Sequence, residues 1–250
     1  MGVLRELYRT WLVSRHRPAH WRLRPRTIDR RIFRHVVIDN EYALPDRFRP
    51  EDTILDIGGH VGSFSLAALR RGAGMVHTCE PDADNFEVLV NNLAPYWDRV
   101  RLHRRAVWHE SAALGLHNPI DTRNTGAGQL CLEANAQAVE AVAFDDLVRR
   151  IAGGRRLRLV KLDCEGAEWP ILLTSQCLHL IDELCGEYHL LPEPFAVPGY
   201  ETFAPDDLRE CLEGAGFDVR MVPMGDEPFP TGLFFATKNP LTPCAAPPHR

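Results

Sequence analysis

The chain has 250 residues, of which 45% are apolar and 25% are charged, and its formal net charge is −5. These values are typical of one globular domain that needs no disulfide or metal to hold its core. The seven cysteines include no C-x-x-C pair, which argues against a zinc site and against a disulfide framework. No apolar run approaches the ~20 residues that span a bilayer, and residues 1–18 lack the pattern of a signal peptide. We therefore expect a cytoplasmic protein without stable membrane insertion.

The N-terminal segment, residues 1–35, carries ten arginines but only two acidic residues, Glu6 and Asp29. A basic arm of this kind could contact anionic lipid, nucleic acid or a phosphorylated substrate. The alternative is an amphipathic helix that folds against an acidic body. No aromatic platform or nucleic-acid motif accompanies the arginines, so we expect no nucleic-acid partner. We predict that residues 1–35 form a basic arm or cap helix beside a domain at residues 36–239.

From about residue 52, short apolar runs alternate with amphipathic stretches, which predicts a parallel sheet covered by helices. TILDIGG is predicted as the first buried strand, and a helix is predicted from Ser63 to Arg71. MVHTCE is predicted as the second strand. Pro81 then opens a helix whose apolar residues recur at helical spacing.

The second half of the chain continues this alternation after an irregular stretch. VRLHRRAV is a predicted third strand, and residues 106–142 contain a Gly- and Asn-rich stretch between two strands. Further on, the pattern predicts helices at Phe144–Ala152 and Pro205–Gly214, parallel strands at RLVKLDCE and IDELCGEYH, and a closing pair of strands at FDVRMV and GLFFATK. The Pro-rich residues 240–250 are predicted to be a disordered tail.

The first predicted strand ends in a glycine-rich turn formed by Asp56, Gly58, Gly59 and Gly62. Glycine allows the sharp turn from strand to helix and a close approach of ligand to backbone. The carboxylate that opens the turn would repel a pyrophosphate, so the motif favours a ligand with a positive amine over a dinucleotide. A purely structural turn is the alternative.

Glu80 ends the second predicted strand, 22 residues after Gly58. In units of this kind, an acidic residue about 20 residues beyond the glycine turn accepts hydrogen bonds from a ribose diol. Glu80 is therefore a candidate ribose ligand, and the alternative is a strand-end carboxylate on the surface.

Seven segments between about residues 36 and 190 together match the motifs of a known family, in the same order along the chain: Asn40-Glu41-Tyr42, DIGGHVGSFS, CEPDADNFEVLVNN, RRAV, VAFDDL, LVKLDCEGAEWPIL and Glu187-Tyr188-His189. In these segments the chain resembles the FkbM-type methyltransferases. The resemblance implies an α/β, Rossmann-like class I methyltransferase fold, with helices on both faces of a seven-stranded, mostly parallel sheet whose seventh strand is antiparallel. It also implies S-adenosylmethionine as cofactor and, usually, O-methylation.

The resemblance places the cofactor on the residues of the glycine turn and the second strand. Asp56, Gly58 and Gly62 would line its methionine end, with Gly59 in the same turn, and Glu80 would hold its ribose. Asp163, after the fourth parallel strand, is a further candidate for cofactor binding.

Ionisable residues follow the fourth and fifth parallel strands, and the carboxyl ends of neighbouring strands open onto one cleft. We predict His189 as the general base, because an imidazole that titrates near neutrality can accept a hydroxyl proton. Asp163 would orient His189 or hold the substrate, and Glu187 faces the same side of its strand as His189. Glu165 and Glu168 are either part of this site or a pair favoured by a helix N-terminus.

Several alternatives stay open at this point. The cluster of carboxylates with a histidine could hold Mg²⁺, although we expect no metal to be required. Residues 119–129 are either a mobile lid or a hairpin loop, and Phe195, Tyr200 and Phe203 either wall an acceptor pocket or anchor a loop. We expect a small-molecule or saccharide acceptor. The competing functions are a non-catalytic cofactor-binding domain and an NAD-dependent oxidoreductase.

Overall fold

Two β-sheets and seven α-helices make up the described part of the chain. The computed structural model describes residues 2–117, 121–131, 136–191, 195–224 and 231–239. Within these residues there are eleven strands, namely β1 (Thr53–Ile57), β2 (Met75–Cys79), β3 (Val100–His103), β4 (Ala106–Trp108), β5 (Ala112–His117), β6 (Gln129–Cys131), β7 (Gln137–Ala143), β8 (Leu159–Leu162), β9 (Glu183–His189), β10 (Phe217–Met224) and β11 (Thr231–Lys238).

The α-helices alternate with the strands along much of the chain. They are α1 (Gly2–His16), α2 (Asp29–Phe33), α3 (Ser63–Arg70), α4 (Ala83–Leu93), α5 (Phe144–Ala152), α6 (Glu168–Thr174) and α7 (Pro205–Gly214). A π-helical turn at Arg34–Ile38 follows α2 directly. Within the described residues, no helix combines the length and the apolar character that crossing a membrane requires.

The larger sheet has seven strands in the order β10-β11-β9-β8-β1-β2-β3. Strands β3, β2, β1, β8 and β9 pair in parallel, whereas β11 runs antiparallel to both β9 and β10. The strand order reverses beside β1, which pairs with β2 on one side and with β8 on the other. A crevice therefore opens beyond the carboxyl ends of these strands, where open α/β sheets bind ligands. This arrangement confirms the predicted seven-stranded class I methyltransferase fold with an antiparallel seventh strand.

Successive strand residues point to opposite faces of this sheet. Both faces carry buried apolar side chains, and helices cover both of them. Leu55 and Ile57 of β1 lie in a buried apolar cluster with Trp169 of α6. Ile54, which precedes Leu55 and points to the opposite face, lies in a second cluster with Phe64 of α3. Each apolar cluster is thus one face of the sheet together with the helices packed on it.

The smaller sheet, in the order β4-β7-β5-β6, was not predicted from the sequence. The predicted third strand is divided in two, because Val100–His103 joins the large sheet and Ala106–Trp108 joins the small one. Two of its four strands, β4 and β6, have three residues each, and β7 pairs in parallel with β4 but antiparallel with β5. Short strands that mix pairing directions leave a weak alternating pattern, which explains why residues 106–142 looked irregular.

The N-terminal segment packs against the face that carries α3 and α4. Trp21 and Phe33 are almost fully buried and belong to the same apolar cluster as Phe64. A Cβ built on Gly62 would lie 3.4 Å from the Trp21 ring, so this segment contacts the back of the glycine turn. A domain boundary near residue 35 stays a prediction, and the predicted tail at residues 240–250 lies outside the described residues.

Candidate active site

A cavity of about 410 Å³ lies at the carboxyl ends of β1, β2, β8 and β9. Six of the eight predicted site residues line it: Gly58, Gly59, Glu80, Asp163, Glu187 and His189. The other two, Asp56 and Gly62, are not among its lining residues. The tertiary structure therefore brings together residues that are up to 131 positions apart in the sequence.

The turn after β1 requires glycine at two adjacent positions, because a different neighbouring residue occupies the space of a side chain at each of them. Gly58 has a φ of +77°, and a Cβ there would lie 1.8 Å from the carbonyl oxygen of Asp163. A Cβ on Gly59 would lie 2.2 Å from Cγ2 of Thr78. The amides of Gly58 and Gly59 both donate to the carbonyl of Cys79, at 3.0 Å each. This close backbone packing holds the turn flat against β2 and β8 and leaves its outer side to the cavity.

Asp56 lies behind the turn, where it pairs with a buried lysine. Its carboxylate is fully buried and accepts a hydrogen bond of 2.6 Å from the hydroxyl of Ser65. Nζ of Lys161 lies 3.4 Å from Oδ1 of Asp56 and donates to the carbonyls of Ile57 and Gly58, at 3.1 and 2.6 Å. Asp56 thus acts on the turn through Lys161 and does not line the cavity.

Lys161 was not singled out from the sequence, although it is the one charged residue of an otherwise apolar strand. Burial by itself lowers the pKa of Lys161, but the carboxylates of Asp56 and Asp163 outweigh burial and raise it above its ordinary value. The ammonium group therefore stays charged and fixes the backbone of the glycine turn. A lysine within a buried strand is the signal that could have identified it.

Glu80 is buried at the end of β2 and faces the cavity. Its carboxylate accepts hydrogen bonds from the amides of His60 and Asp82, at 2.7 and 2.9 Å. Burial raises the pKa of Glu80 to about 7, although these two hydrogen bonds oppose the shift. Each carboxylate oxygen has a second lone pair, so Glu80 can accept further hydrogen bonds from a ligand.

A network of hydrogen bonds ties the N-terminal segment to the cavity. Arg24 donates to both carboxylate oxygens of Asp29, at 3.0 Å each, and to the side chain of Asn85 at 2.8 Å. The hydroxyl of Thr125 donates to Asp29 at 2.9 Å and lies 2.9 Å from Nε2 of His60. Burial raises the pKa of Asp29, but hydrogen bonds from His60 and Arg24 dominate and hold it well below its usual range. Sequence spacing could not reveal this network, because its members come from four separate segments.

Two buried polar atoms in the cavity wall lack a hydrogen-bond partner within the described residues. They are Nδ1 of His60 and the hydroxyl oxygen of Ser63. A buried polar atom without a partner costs free energy, so such atoms at a cavity surface fit a polar ligand that would satisfy them.

His189 lies at the end of β9 among carboxylates. Its backbone amide and ring Nδ1 lie 2.6 and 3.1 Å from Oε1 of Glu168, which is itself fully buried. On its other side, Nε2 of His189 lies 3.6 Å from Glu165 and 3.9 Å from Glu187. Glu168 therefore orients the ring, a role that the sequence left open.

The charge of His189 corrects the expectation that this residue titrates near neutrality. Burial by itself lowers the pKa of His189, but the carboxylates of Glu168, Glu165 and Asp163 overcome burial and raise it to about 10. At neutral pH the ring is an imidazolium ion, which cannot accept a proton. The sequence placed carboxylates at the same cleft as His189, but it could not show how close they lie to the ring, which is what raises this pKa.

Two other carboxyl groups of the site have pKa values near the physiological range. Burial and the neighbouring Asp163 raise the pKa of Glu187 to about 7, and burial raises that of Glu165 to about 8. Burial would also raise the pKa of Asp163, but Lys161 and His189 lower it overall. The hydroxyl of Tyr42 donates to Asp163 at 2.8 Å. Asp163 is thus ionised, whereas Glu187 can take up or release a proton near pH 7.

Three of these side chains also have the geometry of a metal site. In the described part of the chain, ligand atoms of Asp163, Glu187 and His189 lie within 4.8 Å of one another. Two carboxylates and an imidazole could hold a divalent ion. In this structure the charged ring of His189 supplies the positive charge that such an ion would bring.

The comparisons with known proteins decide the family. A family model described as the methyltransferase FkbM domain matches residues 56–219. The chain belongs to the FkbM methyltransferase family. As a member of this family it uses S-adenosylmethionine as cofactor, as the resemblance implied. No curated protein matches this FkbM methyltransferase significantly.

Solved structures that are similar to this FkbM methyltransferase have low sequence identity. A candidate RNA methyltransferase from Pyrococcus horikoshii is 13% identical, with 96% of this chain and 98% of that chain covered and a TM-score of 0.47. Precorrin-6y C5,15-methyltransferase from Geobacter metallireducens is 14% identical, with 87% and 93% covered and a TM-score of 0.45. TrmK of M. capricolum, in complex with S-adenosyl-homocysteine, is 9% identical, with 80% and 67% covered and a TM-score of 0.44. None of these bears on what this chain methylates.

Three further side chains of this FkbM methyltransferase, Cys164, Phe195 and Phe203, are held by contacts with their neighbours. The thiol of Cys164 lies 3.7 Å from Glu168, and burial raises its pKa well above the ordinary value, so it is not a nucleophilic thiolate. The ring of Phe195 packs against Trp108 with a centroid distance of 4.4 Å, and that of Phe203 stacks on Trp169 at 4.9 Å. These two aromatic residues anchor their loop on the core and do not line the cavity.

Proposed function

We propose that this FkbM methyltransferase transfers the methyl group of S-adenosylmethionine to a hydroxyl group of a sugar, a polyketide or a lipid-linked saccharide. One observation carries the proposal. The glycine turn and Glu80 line the same cavity as Asp163, Glu187 and His189. Residues suited to hold the cofactor therefore lie beside residues suited to receive a hydroxyl proton.

The cofactor would bind along the turn after β1. The backbone at Gly58 and Gly59 leaves room for its methionine end, and Asp163 would accept a hydrogen bond from its ammonium group. Glu80 would hold the ribose through its free lone pairs. Ser63 and His60 offer the partnerless polar atoms that a polar ligand would satisfy.

Asp56 and Gly62 contribute indirectly in this proposal. Asp56 holds Lys161, whose ammonium group fixes the carbonyls of the turn. Gly62 precedes α3 with a φ of +93°, where its conformation lets the turn enter the helix. Both are positioning residues for the cofactor.

When bound, the cofactor supplies a methyl group that its sulfonium already activates. The protein therefore has to align the acceptor, which can lower the barrier by about 7–11 kcal/mol, and to receive one proton. The acceptor oxygen gains a bond to the methyl carbon as that carbon loses its bond to sulfur, and the hydroxyl proton passes to Glu187. Its pKa of about 7 suits a base at neutral pH. Asp163 orients the hydroxyl, and charged His189 stabilises the carboxylates around it.

Calorimetry with S-adenosylhomocysteine, followed by a methyl-release assay on a panel of hydroxyl acceptors, tests the proposal. We expect the wild-type protein to bind S-adenosylhomocysteine and to methylate at least one acceptor. Binding without any methyl transfer would indicate a non-catalytic cofactor-binding domain. Absence of binding would contradict the proposal altogether.

The variant His189→Ala separates a catalytic role from a structural one. We expect turnover to fall while the affinity for S-adenosylhomocysteine stays nearly unchanged, because His189 lies among carboxylates at the end of β9 and its partners are not residues of the glycine turn. Equal losses of turnover and cofactor affinity would mean that His189 acts only on the structure. Glu87→Gln, at an exposed helix position, is the control and should change neither property.

A further inference from the structure

A second cavity, of about 530 Å³, lies between α1 and the segment that leads into α2. Among the described residues that line it, Glu6 is the one acidic residue. The basic lining residues are six arginines, and we call this cavity the arginine pocket: Arg9, Arg24, Arg26, Arg30, Arg31 and Arg34. Six guanidinium groups around one cavity repel one another unless anions neutralise them.

Half of these arginines have carboxylate partners, namely Arg9 with Glu6 at 3.7 Å, Arg24 with Asp29 at 3.0 Å and Arg34 with Asp39 at 3.5 Å. Among the residues that the structure describes, the guanidinium groups of Arg26, Arg30 and Arg31 make no ion pair and no hydrogen bond. The arginine pocket therefore presents three uncompensated positive charges.

The chemistry of these groups favours a phosphate as the ligand. A guanidinium group presents its donors in a planar fork that matches two oxygens of a phosphate. A phosphate monoester carries about −1.5 to −2 charges at pH 7, so it neutralises several arginines at once, whereas a carboxylate brings only one charge.

The position of Arg31 connects the arginine pocket to the candidate active site. Arg31 lines both cavities, and its neighbours Ile28, Ile32 and His35 line the active-site cavity as well. A molecule that extends from one cavity to the other would pass Arg31. Its phosphate would then lie in the arginine pocket while its hydroxyl group lies in the cavity of Asp163 and Glu187.

We propose that the arginine pocket binds a phosphate group of the methyl acceptor, so that the substrate is a phosphorylated or diphosphate-linked hydroxy compound. The proposal rests on the proposed methyltransferase function, because it identifies a second part of the acceptor at the same site. It assigns to the arginine-rich segment a role in substrate recognition that depends on charge and is independent of cofactor binding.

Calorimetry of the full chain with inorganic pyrophosphate tests this proposal. The variant is Arg30→Gln/Arg31→Gln, and the matched control is Arg22→Gln/Arg104→Gln, which removes the same charge from exposed residues that line neither cavity. We expect the variant to bind pyrophosphate at least about tenfold more weakly than the wild type, because charge-assisted hydrogen bonds are lost. The control should bind like the wild type. Equal binding by all three proteins, or no binding by the wild type, would overturn the proposal.

The same proteins titrated with S-adenosylhomocysteine distinguish this proposal from the proposed function. Equal cofactor affinity in all three shows that the variant is folded and that its defect is confined to the arginine pocket. If the wild type binds pyrophosphate through Arg30 and Arg31 but no S-adenosylhomocysteine, the proposed function fails and the phosphate site remains. If only S-adenosylhomocysteine binds, the phosphate site fails and the function remains.

Two further titrations identify the source of the phosphate. The first titration uses vesicles of a zwitterionic phospholipid to which phosphatidic acid has been added. Binding of the wild type to these vesicles, lost in the double variant, would support a lipid-borne phosphate. Binding of pyrophosphate without binding to these vesicles would support a soluble phosphorylated acceptor. Single-stranded RNA that binds much more tightly than pyrophosphate, and depends on the same two arginines, would overturn the proposal in favour of a nucleic-acid site.

Discussion

His189 and Lys161 are two buried basic residues that lie among the carboxylates at the carboxyl ends of β1, β8 and β9. Each lies within 4 Å of at least two acidic groups, and each is almost fully buried. In a medium of low dielectric constant, such contacts determine which groups are charged. We therefore assign a different role to each residue. Lys161 supports the glycine turn, His189 stays protonated, and Glu187 receives the hydroxyl proton of the acceptor.

The pH dependence of wild-type activity should report Glu187. Its raised pKa of about 7 means that the carboxyl group is protonated below this pH and cannot accept a proton, and that it is ionised above it. We expect kcat/KM to rise as the pH increases through about 7. The measurement is a pH profile of methyl transfer under subsaturating acceptor.

The variant Glu187→Gln should lose this rise and about 10²- to 10⁴-fold of kcat, the contribution of a general base. Affinity for S-adenosylhomocysteine should stay within about twofold, since alignment of the cofactor is assigned to other residues. A variant that keeps the wild-type profile would assign the proton to another group, with Glu165 the nearest candidate.

Activity should survive removal of divalent ions. The imidazolium ring of His189 lies 3.6 Å from Glu165 and 3.9 Å from Glu187 and already supplies positive charge where a metal would bind. We expect methyl transfer after dialysis against EDTA to equal that of the untreated protein. Loss of activity that Mg²⁺ restores, but NaCl of equal ionic strength does not, would show that Asp163, Glu187 and His189 act as metal ligands.

At the scale of elements, the turn between β1 and α3 is held by backbone contacts from two neighbouring strands. Its glycines are needed because the carbonyl of Asp163 and the side chain of Thr78 occupy the space of a Cβ. The turn is thus shaped by β2 and β8 as much as by its own sequence. This explains why a short glycine motif can form a turn of well-defined shape beside the cavity.

Gly59→Ala tests this packing. The new methyl group would lie 2.2 Å from Thr78 and 3.0 Å from Leu89, so the turn has to shift. We expect affinity for S-adenosylhomocysteine to fall by at least about tenfold and the free energy of unfolding to fall by about 1–3 kcal/mol. Gly214→Ala, whose Cβ would have no atom within 4 Å, is the matched control and should leave both unchanged or slightly improved. Wild-type affinity in Gly59→Ala would contradict the assigned position of the cofactor.

At the scale of the whole molecule, the N-terminal segment is part of the folded body. Trp21 and Phe33 are buried in the apolar cluster of α3 and α4, and Arg24 and Asp29 hydrogen-bond to residues of the cavity wall. The segment therefore contributes both to stability and to the shape of the candidate active site. The arginines between Arg24 and Arg34 are therefore carried by a packed segment and not by a free arm.

Trp21→Ala measures that contribution. Removing a fully buried indole leaves a cavity, so we expect the free energy of unfolding to fall by about 3–5 kcal/mol in urea denaturation. Trp97 is 52% exposed, so Trp97→Ala should change the free energy of unfolding by less than about 0.5 kcal/mol. Similar effects of the two substitutions would mean that the N-terminal segment does not pack on α3 and α4 in solution.

The sequence by itself determined the parallel sheet, the order of its strands along the chain, the glycine turn and the family. These follow from local patterns: apolar runs of strand length, helical periodicity, and glycines at a fixed distance from Glu80. Each of these patterns lies within a short segment of the chain, so the elements can be predicted without knowing any long-range contact. The location in the cytoplasm and the exclusion of nucleic acid remain predictions from composition alone.

Only the tertiary structure decided the charges and the partners. Lys161 meets Asp56, Glu168 meets His189, and Thr125 meets Asp29 across 21 to 105 positions of sequence. Burial and Coulomb interactions depend on distance in space, which no periodicity encodes. For the same reason, the small sheet of β4–β7 and the arginine pocket beside the active-site cavity emerged only when the chain was folded.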